Sequence, residues 1–196
     1  LAPETEYTLT VTKAKVTIAA AYDSKEYGED DSAYADATLT LVSGGVASEL
    51  KGIDLTVSRT NTDETVGVYR GVLQTKDTKA ALEAVYTNYE FTVTPADFEI
   101  TAKTTGLTIT NSNLSQEYNG SALVANATAT ADDGSEVTLK YSVKDADGNY
   151  GEYTDEVPSI TNVGVLTYKV QASNANYVTL APETEYTLTV TKAKVT

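Results

Sequence analysis

Residues 7–12 read Tyr-Thr-Leu-Thr-Val-Thr, and residues 186–191 read the same six letters. Tyr, Leu and Val occupy alternate positions and Thr fills the others. A period of two, built from β-branched and aromatic residues, fits a pleated strand with one dry face and one wet face. The same alternation returns at Tyr89, Phe91 and Val93, at Val137, Leu139, Tyr141 and Val143, and at Leu166, Tyr168 and Val170. Ser43-Gly44-Gly45, Asp132-Asp133-Gly134 and Asp147-Gly148-Asn149 supply turn chemistry between such runs. Short strands at this spacing predict all-β, Ig-like antiparallel sandwiches. One stretch departs from the pattern. Lys76-Asp-Thr-Lys-Ala-Ala-Leu-Glu-Ala84 favours a short helix near 77–85, with Asp77 or Thr78 as its N-cap. A β-grasp-like first module is therefore the alternative.

The alternating hexamer sits in a longer repeat. Leu1–Thr17 and Leu180–Thr196 are identical, at an offset of 179 residues. This reads either as a tandem array with a unit of that length or as a duplicated segment, and the array is preferred. Weaker echoes lie inside the unit. Tyr7–Ile18 aligns with Tyr89–Ile100, Lys25-Glu-Tyr-Gly28 with Gln116-Glu-Tyr-Asn-Gly120, and Val66-Gly-Val-Tyr69 with Val163-Gly-Val-Leu166. The division that follows is a terminal strand of a preceding repeat over 1–14, a first module over 15–100, a second over 101–191, and the start of a further repeat over 192–196. Thr94-Pro-Ala-Asp97 reads as a short connection with no Gly/Ser-rich linker. The expectation is an extended, stiff rod of two tandem modules, each adding on the order of 35–45 Å. No leader-like segment precedes the repeat, which reads as an excised stretch of a longer chain.

Composition limits the chemistry. The 196 residues carry 28 Asp and Glu against 14 Lys and Arg, a net charge of −14. Such a chain lacks the basic patch that nucleic acid or an anionic lipid surface requires. His, Cys, Met and Trp are absent. Thiol and imidazole catalysis, disulfides and the usual zinc sites are thereby excluded. Carboxylate pairs alone could still run glycoside hydrolysis, but modules this small offer little room for a deep cleft, and the chain reads as no enzyme. No apolar run reaches the ~18 residues of a membrane span. An acidic chain without Cys or Met suits an oxidising, extracellular setting.

In their order, the anchors Tyr27-Gly28, Val66-Gly-Val-Tyr69 and Asn88-Tyr89, then Tyr118-Asn-Gly120, Pro158–Gly164 and Asn174-Ala-Asn-Tyr177, resemble the MBG-type repeats of large bacterial cell-surface proteins. The resemblance implies a structural, stalk-like unit of an extracellular, cell wall-attached adhesin, giving reach and multivalent display. Its partners would be adjacent identical repeats, with host glycans, mucin or a matrix protein as ligands of the alternative, a binding module. It transfers no catalytic residue.

Three groups of residues are candidate sites. Tyr141, Tyr150 and Tyr153 could stack on sugar rings and donate hydrogen bonds, although with Phe so scarce tyrosines are also needed as core. Asp145, Asp147, Asn149 and Glu156 place oxygens at positions 1, 3, 5 and 12, as a calcium loop does, but Tyr150 stands where that loop has glycine. Ordinary turn chemistry is the competing reading, and calcium is the sole cofactor considered. Self-formed isopeptide crosslinks need a buried lysine beside a carboxamide or acid. Lys103, Lys169, Asn126 and Asn162 are the residues weighed for them, against a reading as solvent-facing side chains. Asp23, Glu26, Glu29, Asp30, Asp31 and Asp36 read as a solvated acidic loop. Tyr177 reads as a corner tyrosine that ties a loop to the sandwich.

Overall fold

Thr, Val and Tyr runs become strands once each has a neighbour to satisfy its backbone N–H and C=O groups. The computed structural model describes residues 4–194, and it divides into two units, the first ending at Thr101 and the second beginning at Ala102. Both are almost entirely β.

The first unit contains β1 (Ala14–Ala19), β2 (Asp23–Glu26), β3 (Thr38–Ser43), β4 (Val57–Arg59), β5 (Gly67–Thr75), α1 (Lys79–Val85), β6 (Tyr89–Thr94) and β7 (Ala96–Thr101). They form two sheets, β3-β1-β6 and β2-β7-β5-β4. Val16, Ile18, Leu73, Phe91, Phe98 and Ile100 are buried between them. Tyr34 meets Phe98 edge-on, ring centroids 5.8 Å apart. The expected helix is α1, and the Thr78 hydroxyl caps it by accepting from the Ala81 N–H at 3.3 Å. It is 7 residues long and buries Leu82. The unit remains a two-sheet structure and not a β-grasp.

The second unit contains β8 (Leu107–Thr110), β9 (Leu114–Glu117), β10 (Leu123–Val124), β11 (Thr128–Ala131), β12 (Thr138–Val143), β13 (Ser159–Ile160), β14 (Gly164–Asn174), β15 (Tyr177–Leu180) and β16 (Tyr186–Thr191). Its main sheet runs β12-β14-β16-β9, with β15 also on β14; β8 pairs β11, and β10 pairs β13. Tyr141, Tyr168, Val170 and Leu188 form its core. With no Phe in this unit, the Tyr168 ring fills the centre and its hydroxyl bonds to the Asn111 side-chain amide, donated by Asn111 Nδ2 at 3.0 Å.

Several sequence expectations change in the structure. The sheets are mixed: β1 with β6, β2 with β7, and β9 with β16 run parallel. Alternation reports which face is buried, not the direction of the neighbour. Thr94-Pro95-Ala96 does not join modules. It carries the chain from β6 in one sheet to β7 in the other within one unit, and Pro95, lacking an N–H, breaks the ladder where the sheets part. In β12, Ser142 is buried and Val143 is exposed, because the Ser142 hydroxyl donates to Gly151 O at 2.6 Å.

The repeated hexamer has two fates. As β16 it lies between β14 and β9, with Leu188 and Val190 buried. As residues 7–12 it forms no strand, and Tyr7, Leu9 and Val11 are 88%, 93% and 89% exposed. No described strand flanks it there, so its backbone has no ladder to join.

The two units share the order of their larger sheets, β2-β7-β5-β4 in the first and β9-β16-β14-β12 in the second. Tyr27 N–H donates to Thr101 O, as Tyr118 N–H does to Thr191 O, both at 2.9 Å. Gly67 faces Ile100, as Gly164 faces Val190. Ile100 therefore takes the place of Val190, and hence of Val11 in the repeat. The sequence alignment that set Ile100 against Ile18 slips by one strand. The Asn-Tyr pairs also correspond. Tyr89 donates to Glu49 at 2.6 Å and Tyr177 to Asp132 at 2.5 Å, each tying the last strands to a loop. Gly45 (φ 84) and Gly106 (φ 103) pass beside these anchors; a Cβ on the first would lie 2.8 Å from the Tyr89 ring, and on the second 2.7 Å from the Asp132 carboxylate.

Candidate functional site

Of the three candidate tyrosines, Tyr141 belongs to the core, whereas Tyr150 and Tyr153 both lie near Lys169. Tyr141 lies on β12, 5% exposed, its ring 6.2 Å from that of Tyr168. Burial raises the pKa of its hydroxyl. Its backbone exchanges two hydrogen bonds of 2.8 Å with Thr154, which draws the loop after Tyr150 across the sheet. Between loop and sheet lies an open cleft of about 340 Å³, lined by Tyr141, Val143, Gly151, Glu152, Glu156 and Leu166 among others. Tyr153 is half-buried and is not part of this lining.

Tyr150 has a different setting. Lys169 Nζ lies 4.6 Å from its ring centroid and Lys144 Nζ 5.4 Å. Each lysine also meets a carboxylate: Lys144 pairs with Glu185 at 3.0 Å, and Lys169 pairs with Glu183. Burial, helped by Glu185, pushes the Tyr150 hydroxyl up to about 12. Both carboxylates belong to the repeated segment. Their sequence counterparts Glu4 and Glu6 are exposed. The repeat thus matches the body of the second unit in charge as well as in apolar pattern. The sequence alone did not reveal this cluster, since Lys144 and Glu185 are 41 residues apart.

The calcium-like run forms a hairpin turn. Asp145 Oδ1 accepts from the N–H groups of Asp147 and Asn149 at 2.9 and 2.8 Å, and Gly148 has φ 87. Glu156 lines the cleft instead. Among the described residues, no group of three or more acidic, His or Cys side chains is placed to hold a metal ion.

Of the residues weighed for crosslinking, Lys103, Lys169 and Asn126 make polar contacts. Lys103 Nζ lies 2.5 Å from Asp132, while Asn126 shares hydrogen bonds with Ser112. Two well-buried cations lie elsewhere, in the first unit. Lys25 and Arg59 side chains are 8% and 7% exposed, and both bridge Asp31 and Glu64. Arg59 also stacks on Phe98 at 4.8 Å. Asp31, expected in a solvated loop, is thereby an ion-pair partner and accepts from Tyr34 at 2.6 Å. Burial opposes the Lys25 charge, but hydrogen bonds to Asp31 and Glu64 outweigh it and raise its pKa. Burial likewise opposes the Asp31 charge, yet Lys25, Tyr34 and Arg59 hold its pKa down. The Lys25 hydrogen bond lowers Glu64 first of all. Amide-bond formation needs a neutral amine and a protonated acid, so this cluster is held in the opposite state.

A pH dependence follows with a definite sign. Asp31 and Glu64 have folded-state pKa values below the ordinary 3.8 and 4.5. Their contribution is fully present above those ordinary values and fades as pH falls through the depressed ones. Thermal melts of the first unit should hold from neutral pH down to about 4.5 and then decline. Lys25→Met should move the acid-unfolding midpoint upward. An unchanged midpoint in the variant would remove the cluster from the acid limb.

A family model, the MBG domain, matches residues 4–102, half of the chain. No curated protein and no solved structure matches it. The match spans the first unit; the second unit, beyond it, repeats the order of the main sheet and the Asn-Tyr anchor.

Proposed function

The chain belongs to the MBG domain family, whose members are structural repeat modules of surface proteins, and from that premise we propose that it is a stalk unit of an extracellular bacterial adhesin. One period of 179 residues holds two β modules, 15–100 and 101–191, the second a diverged relative of the first. Residues up to 12 close the preceding module, and residues 192–196 open the next. The observation that carries this reading is the repeat itself: the segment exposed at residues 4–12 supplies, at 183–191, β16, the strand that completes a module. Adjacent copies in the same wall-attached chain are the main partners, and reach and valency are the function. The net charge of −14 keeps neighbouring repeats apart.

Small-angle scattering on arrays of one, two and four periods tests this. The maximum dimension should grow by an equal step per period, on the order of 35–45 Å for each module. Growth that flattens with copy number would contradict a stalk.

A second reading, recognition of host glycans, mucin or a matrix protein, is favoured by the cleft at Tyr141 and the cation-flanked Tyr150 ring. A four-period array that binds mucin saturably, and loses that binding with Tyr150→Ala, would establish it. An array that binds none of these leaves spacing as the function.

A further inference from the structure

In each unit the strands where the chain enters lie beside the strands where it leaves. In the first unit β1 pairs in parallel with β6, from Ala14 opposite Tyr89 to Ala19 opposite Thr94. The chain then crosses to the other sheet, where β2 pairs in parallel with β7, from Asp23 opposite Phe98 to Glu26 opposite Thr101. Partner numbers differ by 75 in both sheets, so one register is kept across the crossover. Ala14 N–H to Asn88 O, Ala20 N–H to Thr94 O and Tyr27 N–H to Thr101 O, at 3.0, 3.0 and 2.9 Å, extend the ladder at its ends and across the gap.

The second unit repeats the arrangement. Lys103 faces Tyr177, Leu114 faces Leu188 and Glu117 faces Thr191, all 74 residues apart. Lys103 N–H to Asn176 O at 3.0 Å and Tyr118 N–H to Thr191 O at 2.9 Å mark its two ends. Between them the Asn113 side chain accepts from Thr187 N–H at 2.9 Å.

We propose that this parallel ladder between entry and exit strands is a tension-bearing clamp. In a parallel pair, the start of the first strand and the end of the last lie at opposite ends of the ladder. Tension along the chain therefore slides the two strands past each other and loads every rung at once. An antiparallel pair pulled at one end opens rung by rung. Rupture by sliding also strips partners from many backbone groups together, and unpaired buried groups are costly. One strand of each loaded pair is interior: β1 has β3 on its other side and β7 has β5, while β6 and β2 form the sheet edges. Resistance to force is a matter of the unfolding barrier, so a clamp acts on lifetime more than on equilibrium stability. The proposal rests on the stalk reading for the source of the load, while the ladder's strength belongs to the unit alone.

The chain has no cysteine, so thiol handles can be placed at will. In the full 196-residue chain, Lys13→Cys with Thr101→Cys pulls the first unit along the ladder. Thr56→Cys with Lys76→Cys pulls at one end of the antiparallel β4–β5 pair, where Val57 faces Thr75. Single-molecule lifetimes are read at the same constant force. The ladder pull should survive at least about tenfold longer, the effect of roughly one net hydrogen bond more in the barrier. Equal or shorter lifetimes would overturn the clamp and leave the stalk reading to the scattering measurement.

Discussion

Truncating the chain after Pro182 is expected to unfold the second unit, whereas starting it at Lys13 leaves the first unit's stability unchanged. The two cuts remove the same Glu-Thr-Glu-Tyr-Thr-Leu-Thr-Val-Thr sequence. Their consequences differ because context decides what the segment does. At 183–191 it buries Leu188 and Val190, each worth about 1.5–3 kcal/mol. It also supplies ladder partners to β14 and β9, and carboxylates to Lys144 and Lys169. A whole domain is stable by only about 5–15 kcal/mol, so losing an interior strand exceeds the margin. At 4–12 every residue is exposed and little is forfeited. Circular dichroism melts and residue-resolved exchange would read both. A second unit that stays folded without β16 would show that the strand is dispensable.

The second large effect is at Tyr168. Its side chain is fully buried, its ring packs against Tyr141 and Tyr186 with centroids 6.2 and 6.0 Å away, and its hydroxyl is satisfied by Asn111. Tyr168→Ala should cost the second unit about 3–5 kcal/mol, the range for removing a large core aromatic. Tyr168→Phe keeps the volume and leaves the Asn111 amide short of a partner, for about 1 kcal/mol. Chemical denaturation followed by amide exchange in the second unit separates these values. Near-equal losses for both variants would mean the hydroxyl, not the ring, holds this core together.

The contrast between these sites shows what alternation in a sequence encodes. Leu188, Val190, Tyr168 and Val170 are legible as core because a period of two fixes which side chains share a face. The cap of α1 is legible because Thr78 bonds only three residues ahead. Strand direction is not legible. Tyr-x-Phe-Thr-Val-Thr in β6 and Tyr-Thr-Leu-Thr-Val-Thr in β16 satisfy one pleat requirement, yet the structural counterpart of β16 is β7. Similar demands on two strands made them look homologous. The ion cluster was hidden for another reason: Lys25 and Glu64 are 39 residues apart, and no local pattern announces their meeting. The candidate tyrosines divide for a similar reason. Tyr141 was taken by the core, while Tyr150 met Lys144 across its own hairpin and Lys169 from β14.

One measurement bears most directly on the claim that the repeated segment closes a module. Residues 102–179 are fused ahead of residue 1, which restores the sequence of a second unit up to and beyond residue 12 of the present chain. Amide hydrogen exchange is then followed by NMR, because the two copies give identical peptides. In the present chain, the Leu9 and Val11 amides should exchange rapidly, and those of Leu188 and Val190 slowly. In the fusion, Leu9 and Val11 should become as protected as Leu188 and Val190. If they still exchange rapidly beside a complete preceding unit, the segment is not a closing strand and the account fails.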